Sequence, residues 1–194
     1  MKKIPSLFIR DPADMARITR EVNPLAEWVL HGEGQATLKR DGTATMFRAG
    51  VLHKRYDAKR GKTPPTNFEP CQPDPDPITG HHPGWVPVGD GPEDRWFREA
   101  LALCGAQEDG TYELCGPKFQ TNPERLEAPR FYRHGFEVLL GVPRDYDGLA
   151  AWFFFREIEG IVWHADLGRM AKIKRSDFGL PWAVKTPRPG KTRG

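Results

Sequence analysis

Apolar and polar residues in this chain alternate mostly in short runs. Ala36 and Leu38 alternate with Thr37 and Lys39, which predicts a strand carrying Thr37 and Lys39 on one face. TATMF (43–47) and VLHKRY (51–56) are two more such runs, joined by Arg48-Ala49-Gly50. That pattern predicts a hairpin with a glycine in its turn. TYELCG (111–116), FEVLL (136–140, closed by Pro143), GIVWH (160–164) and MAKIKR (170–175) read as further strands. A helical period replaces alternation between Pro92 and Gly105, where Phe97, Leu101 and Cys104 share a face. Proline near the start and glycine at the end suit that helix. Leu149, Trp152, Phe153 and Arg156 predict a second helix over 145–156, although WFFF also has strand propensity. Asp11-Pro12 opens a short helix bounded by Pro24, and Asn122-Pro123-Glu124 a brief one.

Residues 61–92 differ from all of this. Prolines 64, 65, 70, 73, 75, 77, 83, 87 and 92 fall in this one stretch. Proline at that density denies helix and central strand, so a long ordered loop with extended pieces, pinned by Phe68 and Trp85, is expected, with a mobile flap as the equal alternative. His81-His82 lie in it without spaced Cys or His partners, which argues for surface residues over metal ligands. Short strands with interspersed helices, and no regular β-α-β alternation, give an α+β fold with antiparallel sheets.

Composition narrows the function classes. The chain has 194 residues, 38% hydrophobic, with six Trp and eleven Phe, enough for a packed core in one domain. A net charge of +3 excludes a uniformly basic coat but not a local basic patch built from 29 Lys and Arg. No apolar run approaches the roughly 20 residues that span a bilayer, so no membrane partner is expected. The amino terminus lacks the apolar core of a signal peptide. Cys71, Cys104 and Cys115 are odd in number and scattered, which suits a reducing, cytoplasmic setting.

Four short motifs stand out in order: Lys39-Arg40-Asp41-Gly42-Thr43, Tyr112-Glu113-Leu114, Glu159-Gly160-Ile161-Val162 and Ala171-Lys172-Ile173-Lys174. Each is weak alone. Together, over roughly residues 28–182, they resemble the covalent nucleotidyltransferases, the superfamily of ATP-dependent ligases and mRNA capping enzymes. HGEGQATLKRDGT, KRYDAKRGKTPP, YELCGPK with Asn122-Pro123, and EGIVWH look more narrowly like a small group of 5′-to-3′ RNA ligases.

The resemblance implies a nucleotidyltransferase (adenylation) domain over 1–184, built of two antiparallel β-sheets with flanking helices and ATP-grasp-like. Residues 61–92 are then an insertion and 185–194 a basic tail (Lys185, Arg188, Lys191, Arg193). The 20 residues after Lys174 leave no room for an appended OB-fold, so RNA would be gripped by the core, the Pro-rich segment and the tail.

The resemblance further implies that Lys39 attacks the α-phosphate of ATP and forms lysyl-AMP. AMP then passes to a 5′-phosphate on RNA, and a 3′-hydroxyl completes the joint. A free lysine is mostly protonated at pH 7. Lys172 and Lys174, two apart on a strand, would face Lys39, disfavour its charge and stabilise the phosphate. The bland alternative for that pair is a solvated strand face. By the same resemblance Glu159 holds Mg²⁺ or Mn²⁺, and Glu113 takes the ribose hydroxyls or a hydrated metal. Asp41 orients the lysine or a metal-bound water, with capping of the Gly42 turn as its alternative role. Gly42 admits the nucleotide to the backbone. Arg55 touches the ribose or the RNA 5′-phosphate, while Lys54, Lys59 and Arg60 add charge for RNA. Phe136 is the candidate to stack on adenine, with Phe119 behind it. A monomer is expected. A DNA ligase, a GTP-dependent capping-type enzyme, and a non-catalytic nucleic-acid-binding protein on a ligase fold stay open as alternatives.

Overall fold

In the computed structural model, residues 2–77 and 79–182 are described, and two antiparallel sheets face one another across a cleft. The basic tail residues Lys185, Arg188, Lys191 and Arg193 lie outside the described residues. Strand β1 (Phe8–Arg10) pairs with β2 (Ile18–Val22) in a small hairpin, and a 3-10 turn follows at Pro24–Val29. Strand β3 (Gln35–Lys39) leads through residues 40–42 into β4 (Thr43–Arg48), β5 (Val51–Ala58), β6 (Glu69–Pro70) and β7 (His82–Pro87). Helix α1 (Arg95–Cys104), β8 (Gly110–Cys115), β9 (Arg130–Arg133) and α2 (Tyr146–Phe154) precede β10 (Gly160–His164) and β11 (Met170–Lys174). The larger sheets run β11-β10-β3 and β6-β7-β5-β4-β8-β9. The α+β antiparallel expectation holds at that level. No helix among the described residues is long and apolar enough to cross a membrane.

The three-stranded sheet is in register so that Leu38, Ile161 and Ile173 form one row and Ala36, Trp163 and Ala171 the next. A strand's side chains alternate between faces, so both rows point the same way. That face is the main core: Leu7, Phe8, Trp28, Val29, Leu149 and Phe153 close over it from the hairpin, the 3-10 turn and α2. The opposite face carries Thr37, Lys39, Gly160, Val162, His164, Lys172 and Lys174. In the six-stranded sheet Phe47, Leu52 and Tyr112 pack with Phe97 and Leu101 of α1. The other face of this sheet presents Glu113, paired opposite Tyr132, toward the cleft.

Four local expectations fail, each for a stated reason. Residues 11–24 are not a helix. Asp11 and Asp14 accept the backbone N–H groups of Ala13 and Ala16, which makes turns, and the alternating Ile18-x-Arg20-x-Val22 run then pairs with β1. Asn122 starts no helix. It sits at φ +46° and bridges to Leu126 through both its amide nitrogen and its carbonyl. FEVLL forms no full strand. It runs along β3 with a single bridge, Thr37 to Val138, flanked by hydrogen bonds from Leu38 N to Glu137 O and from Leu139 N to Ala36 O.

The Pro-rich segment does contain a central strand, since β7 lies between β5 and β6. The Pro83 carbonyl accepts from Cys71 N beside β6, and residues two apart point the same way, so Pro83 and Pro87 both aim their missing donors at the side of two-residue β6. The β5 side loses no ladder bond.

Candidate active site

The chain crosses from one sheet to the other at residues 40–42, between β3 and β4. Lys39, the last residue of β3, stands opposite Gly160, and Gly160 stands opposite Lys174. A Cβ at Gly160 would lie 2.3 Å from the Ile173 carbonyl oxygen. Only glycine lets these strands approach here. The preceding residue, Glu159, is 5% exposed and bridges the row: Lys39 Nζ donates to its Oε2 at 2.6 Å and Lys174 Nζ to its Oε1 at 3.0 Å. Lys172 lies one row along, opposite Val162. The structure thus brings Lys39, Glu159, Lys172 and Lys174 together at one end of the cleft.

Gly160→Ala is expected to cost about 1–3 kcal/mol, the range for forcing atoms into a packed site, and to part Glu159 from Lys174. Denaturant unfolding measures the loss. An unchanged midpoint would contradict the close approach.

The facing wall is built by β8 and β9. Glu113 Oε1 accepts the Gly42 N–H at 3.0 Å, and its Oε2 lies 3.0 Å from His134 Nε2. Thr37, Lys39, Arg40, Glu113, Tyr132 and His134 line the same pocket. A Cβ at Gly42 would lie 2.4 Å from Leu114 O and 2.7 Å from Cys115 Sγ, so this glycine serves the crossing of the chain against β8. Asp41 Oδ2 accepts from Trp182 Nε1 at 3.0 Å. Arg40 bonds Glu137 through two nitrogens and Glu124 at 2.6 Å, and its guanidinium lies 4.2 Å from the Tyr132 ring centre.

Other sequence candidates lie elsewhere. Arg55, beside Trp85 on β7, lines a second cavity with Lys3, Asp57, Asp76 and His81. Lys54 is on the opposite face of its sheet and pairs with buried Asp94 at the start of α1. Lys59 and Arg60 are exposed beyond β5. Phe136 is 67% exposed with Arg133 4.7 Å from its ring centre, and Phe119 is buried against α1. Sequence reasoning missed His134, Tyr132 and His164 as pocket residues. His164 was legible, since it shares alternation with Gly160 and Val162. Tyr132 lies within β9 and His134 directly follows it, a short strand that the sequence pattern does not reveal.

The charges settle differently from the expectation. Burial alone would lower the pKa of the Lys39 ammonium. Attraction from Glu159, Glu113 and Asp41 outweighs it, and the net direction is upward. The depressed lysine is Lys172: burial, then repulsion from Lys39 and Lys174, brings it down to about 8. Glu159 is raised, by burial acting against the pull of Lys39 and Lys174. His164 is lowered by burial and by His134.

A Mg²⁺ or Mn²⁺ ion fits these donors by chemistry, with a condition. Among the described residues no group of three or more His, Cys, Asp or Glu could hold a metal. A hard cation that keeps its waters and binds substrate phosphates needs only one or two carboxylates. Glu113, which lines the pocket, and Glu159, bonded to the pocket's Lys39, supply that number, but both oxygens of Glu159 are held by ammonium groups.

Comparison with known proteins agrees with the resemblance. A family model described as RNA ligase 1 matches residues 98–190, a span that includes Glu113, Glu159, Lys172 and Lys174 but not Lys39. Curated proteins named RNA ligase 1 are 29% identical over 142 residues in Danio rerio, 30% over 139 in Pongo abelii and 32% over 139 in Mus musculus. In each case 54% of this chain is covered. The chain spans 42–43% of the length of these relatives. These matches bear out the resemblance to RNA ligases drawn from the motifs.

Proposed function

We propose that the chain is an ATP-dependent RNA ligase that joins 5′-phosphate and 3′-hydroxyl ends through lysyl-AMP on Lys39. The observation that carries this reading is the row Lys39–Glu159–Lys174, with Lys172 beside it and Glu113 across the pocket. A solvated strand face would hold its lysines apart and in water. These three share a cleft with the buried Glu159, and two of them bond to it.

In the first step the Lys39 amine attacks the α-phosphorus, an N–P bond forms, and the P–O bond to pyrophosphate breaks. Lys39 must first lose a proton, and Glu159 Oε2 at 2.6 Å is the acceptor in contact with it. Lys172 and Lys174 supply positive charge where the phosphoryl group gains negative charge. In the second step an oxygen of the RNA 5′-phosphate attacks the AMP phosphorus, the N–P bond breaks and Lys39 takes back a proton. In the third the 3′-hydroxyl attacks the activated 5′-phosphorus, loses its proton and expels AMP. A bound Mg²⁺ or Mn²⁺, with Glu159 and Glu113 as its protein carboxylates, would neutralise phosphate charge. Glu113 also serves the ribose hydroxyls through the remaining lone pairs of its two oxygens, which already meet the Gly42 N–H and His134 Nε2. Among pocket-lining rings Tyr132 is the one propped by Arg40, which makes it a better neighbour for a base than exposed Phe136.

End-joining assays test the reading. RNA with a 5′-phosphate should be joined with ATP, and RNA with a 5′-hydroxyl should not. Equal joining of DNA ends, or use of GTP in place of ATP, would transfer the assignment to a DNA ligase or a capping-type enzyme. No joining and no nucleotide adduct would leave the binding-protein reading.

A further inference from the structure

We infer that Trp182, which follows the last strand, is a positioning residue of the active site: its indole N–H holds the Asp41 carboxylate beside Lys39. The inference rests on the proposed function only for its kinetic consequence. The contact itself is structural.

The path from β11 to Asp41 is built at every step. Lys174 N donates to Asp177 Oδ2 at 2.8 Å, and Arg10 Nη1 donates to Asp177 Oδ1 at 2.6 Å. The chain then turns at Gly179, whose φ of +73° is left-handed and suits glycine. Arg175 is 8% exposed. Its backbone N–H donates to Glu159 O at 2.9 Å, and its guanidinium reaches the carbonyls of Phe153, Arg156 and Pro181. A buried guanidinium with several carbonyl acceptors is a rigid anchor. It fixes Pro181, and the next residue, Trp182, delivers Nε1 to Asp41 Oδ2 at 3.0 Å.

Asp41 sits in the crossing between the sheets, where each neighbour has its own fastening. Arg40 is held by Glu137 and Glu124, and Gly42 N by Glu113. Trp182 is the corresponding hold on Asp41, and it comes from the far end of the three-stranded sheet. An oriented carboxylate two residues from the nucleophile fixes where negative charge meets the Lys39 ammonium, to which Asp41 contributes.

The test uses the full chain in single-turnover nucleotidylation with ATP. Trp182→Phe keeps the ring and removes the donor. It should lower the maximal rate about tenfold, the factor one hydrogen bond to a charged group supplies, with half-saturation by ATP changed by less than about twofold. Trp182→Ala should behave alike. Combining Trp182→Phe with Asp41→Ala should be no worse than Asp41→Ala alone, because each change already removes the hydrogen bond between Trp182 and Asp41. Wild-type rates in Trp182→Phe, or losses that multiply, would overturn the inference. If the wild-type chain itself forms no adduct, the proposed function fails and the contact is read directly. The indole N–H resonance of Trp182 should move in Asp41→Asn, and a resonance that stays in place would overturn the inference.

Discussion

Glu159→Ala should abolish nucleotidyl transfer and weaken the fold together. Among the described residues the carboxylate is the one negative charge bonded to both Lys39 and Lys174, and Lys172 adds a third ammonium nearby. Its removal leaves like charges facing one another in a half-buried row. Breaking a buried ion pair by deleting one partner costs about 3–5 kcal/mol, and the exposure of Lys174 places this case toward the lower end. The chemistry should suffer more: on the roles proposed for Glu159 as proton acceptor and metal carboxylate, adduct formation should fall by on the order of 10²–10³-fold or beyond. Glu159→Gln separates the two effects, since it keeps the shape and removes the charge. It should recover part of the stability and little of the activity. Full activity in either variant would show that Glu159 only holds the strands.

Lys172→Met should act in opposite directions on stability and function. The Lys172 pKa stands at about 8 in the fold, below that of an unfolded lysine, so below pH 8 the folded state carries an ammonium it disfavours. Between about pH 8 and 10.5 the unfolded chain binds more protons, and wild-type stability rises with pH through that window. Methionine removes the penalty. At pH 7 it should stabilise the protein by about 1–3 kcal/mol and flatten the pH slope. ATP binding should weaken roughly ten- to a hundredfold, because the proposed phosphate contact is lost. In the wild type, ATP affinity should fall as pH rises through about 8, and this fall should be absent in Lys172→Met. Denaturant curves at pH 7 and 9.5, with ATP titrations at both, check every part. A destabilised variant with normal ATP affinity would mean that Lys172 is a structural lysine.

The strands that carry the candidate site were legible because alternation speaks for itself there. Thr37 and Lys39, Gly160 and Val162, and Lys172 and Lys174 each fall on one face by period two, and the registers then align them. What periodicity could not supply was the sign of the electrostatics. Lysines two apart suggested a depressed Lys39, but buried Glu159 between Lys39 and Lys174 decides the outcome, and its position depends on long-range pairing. Tyr132 and His134 were missed because RFYR is four residues with charges at both ends, and its place in the sheet comes from β8 alone. Pro-rich β7 was missed because the rule against proline in strands assumes two long partners, and β6 has two residues. Lys54 carried no sign of its inward face, since burial against Asp94 is set by helix α1.

The most direct measurement of the central claim is the mass of the intact chain after incubation with ATP and Mg²⁺ or Mn²⁺ in the absence of RNA, followed by peptide mapping. A gain of one AMP on Lys39 is expected, absent in Lys39→Ala and discharged when RNA with a 5′-phosphate is added. An adduct on another residue, or undiminished adduct in Lys39→Ala, would contradict it.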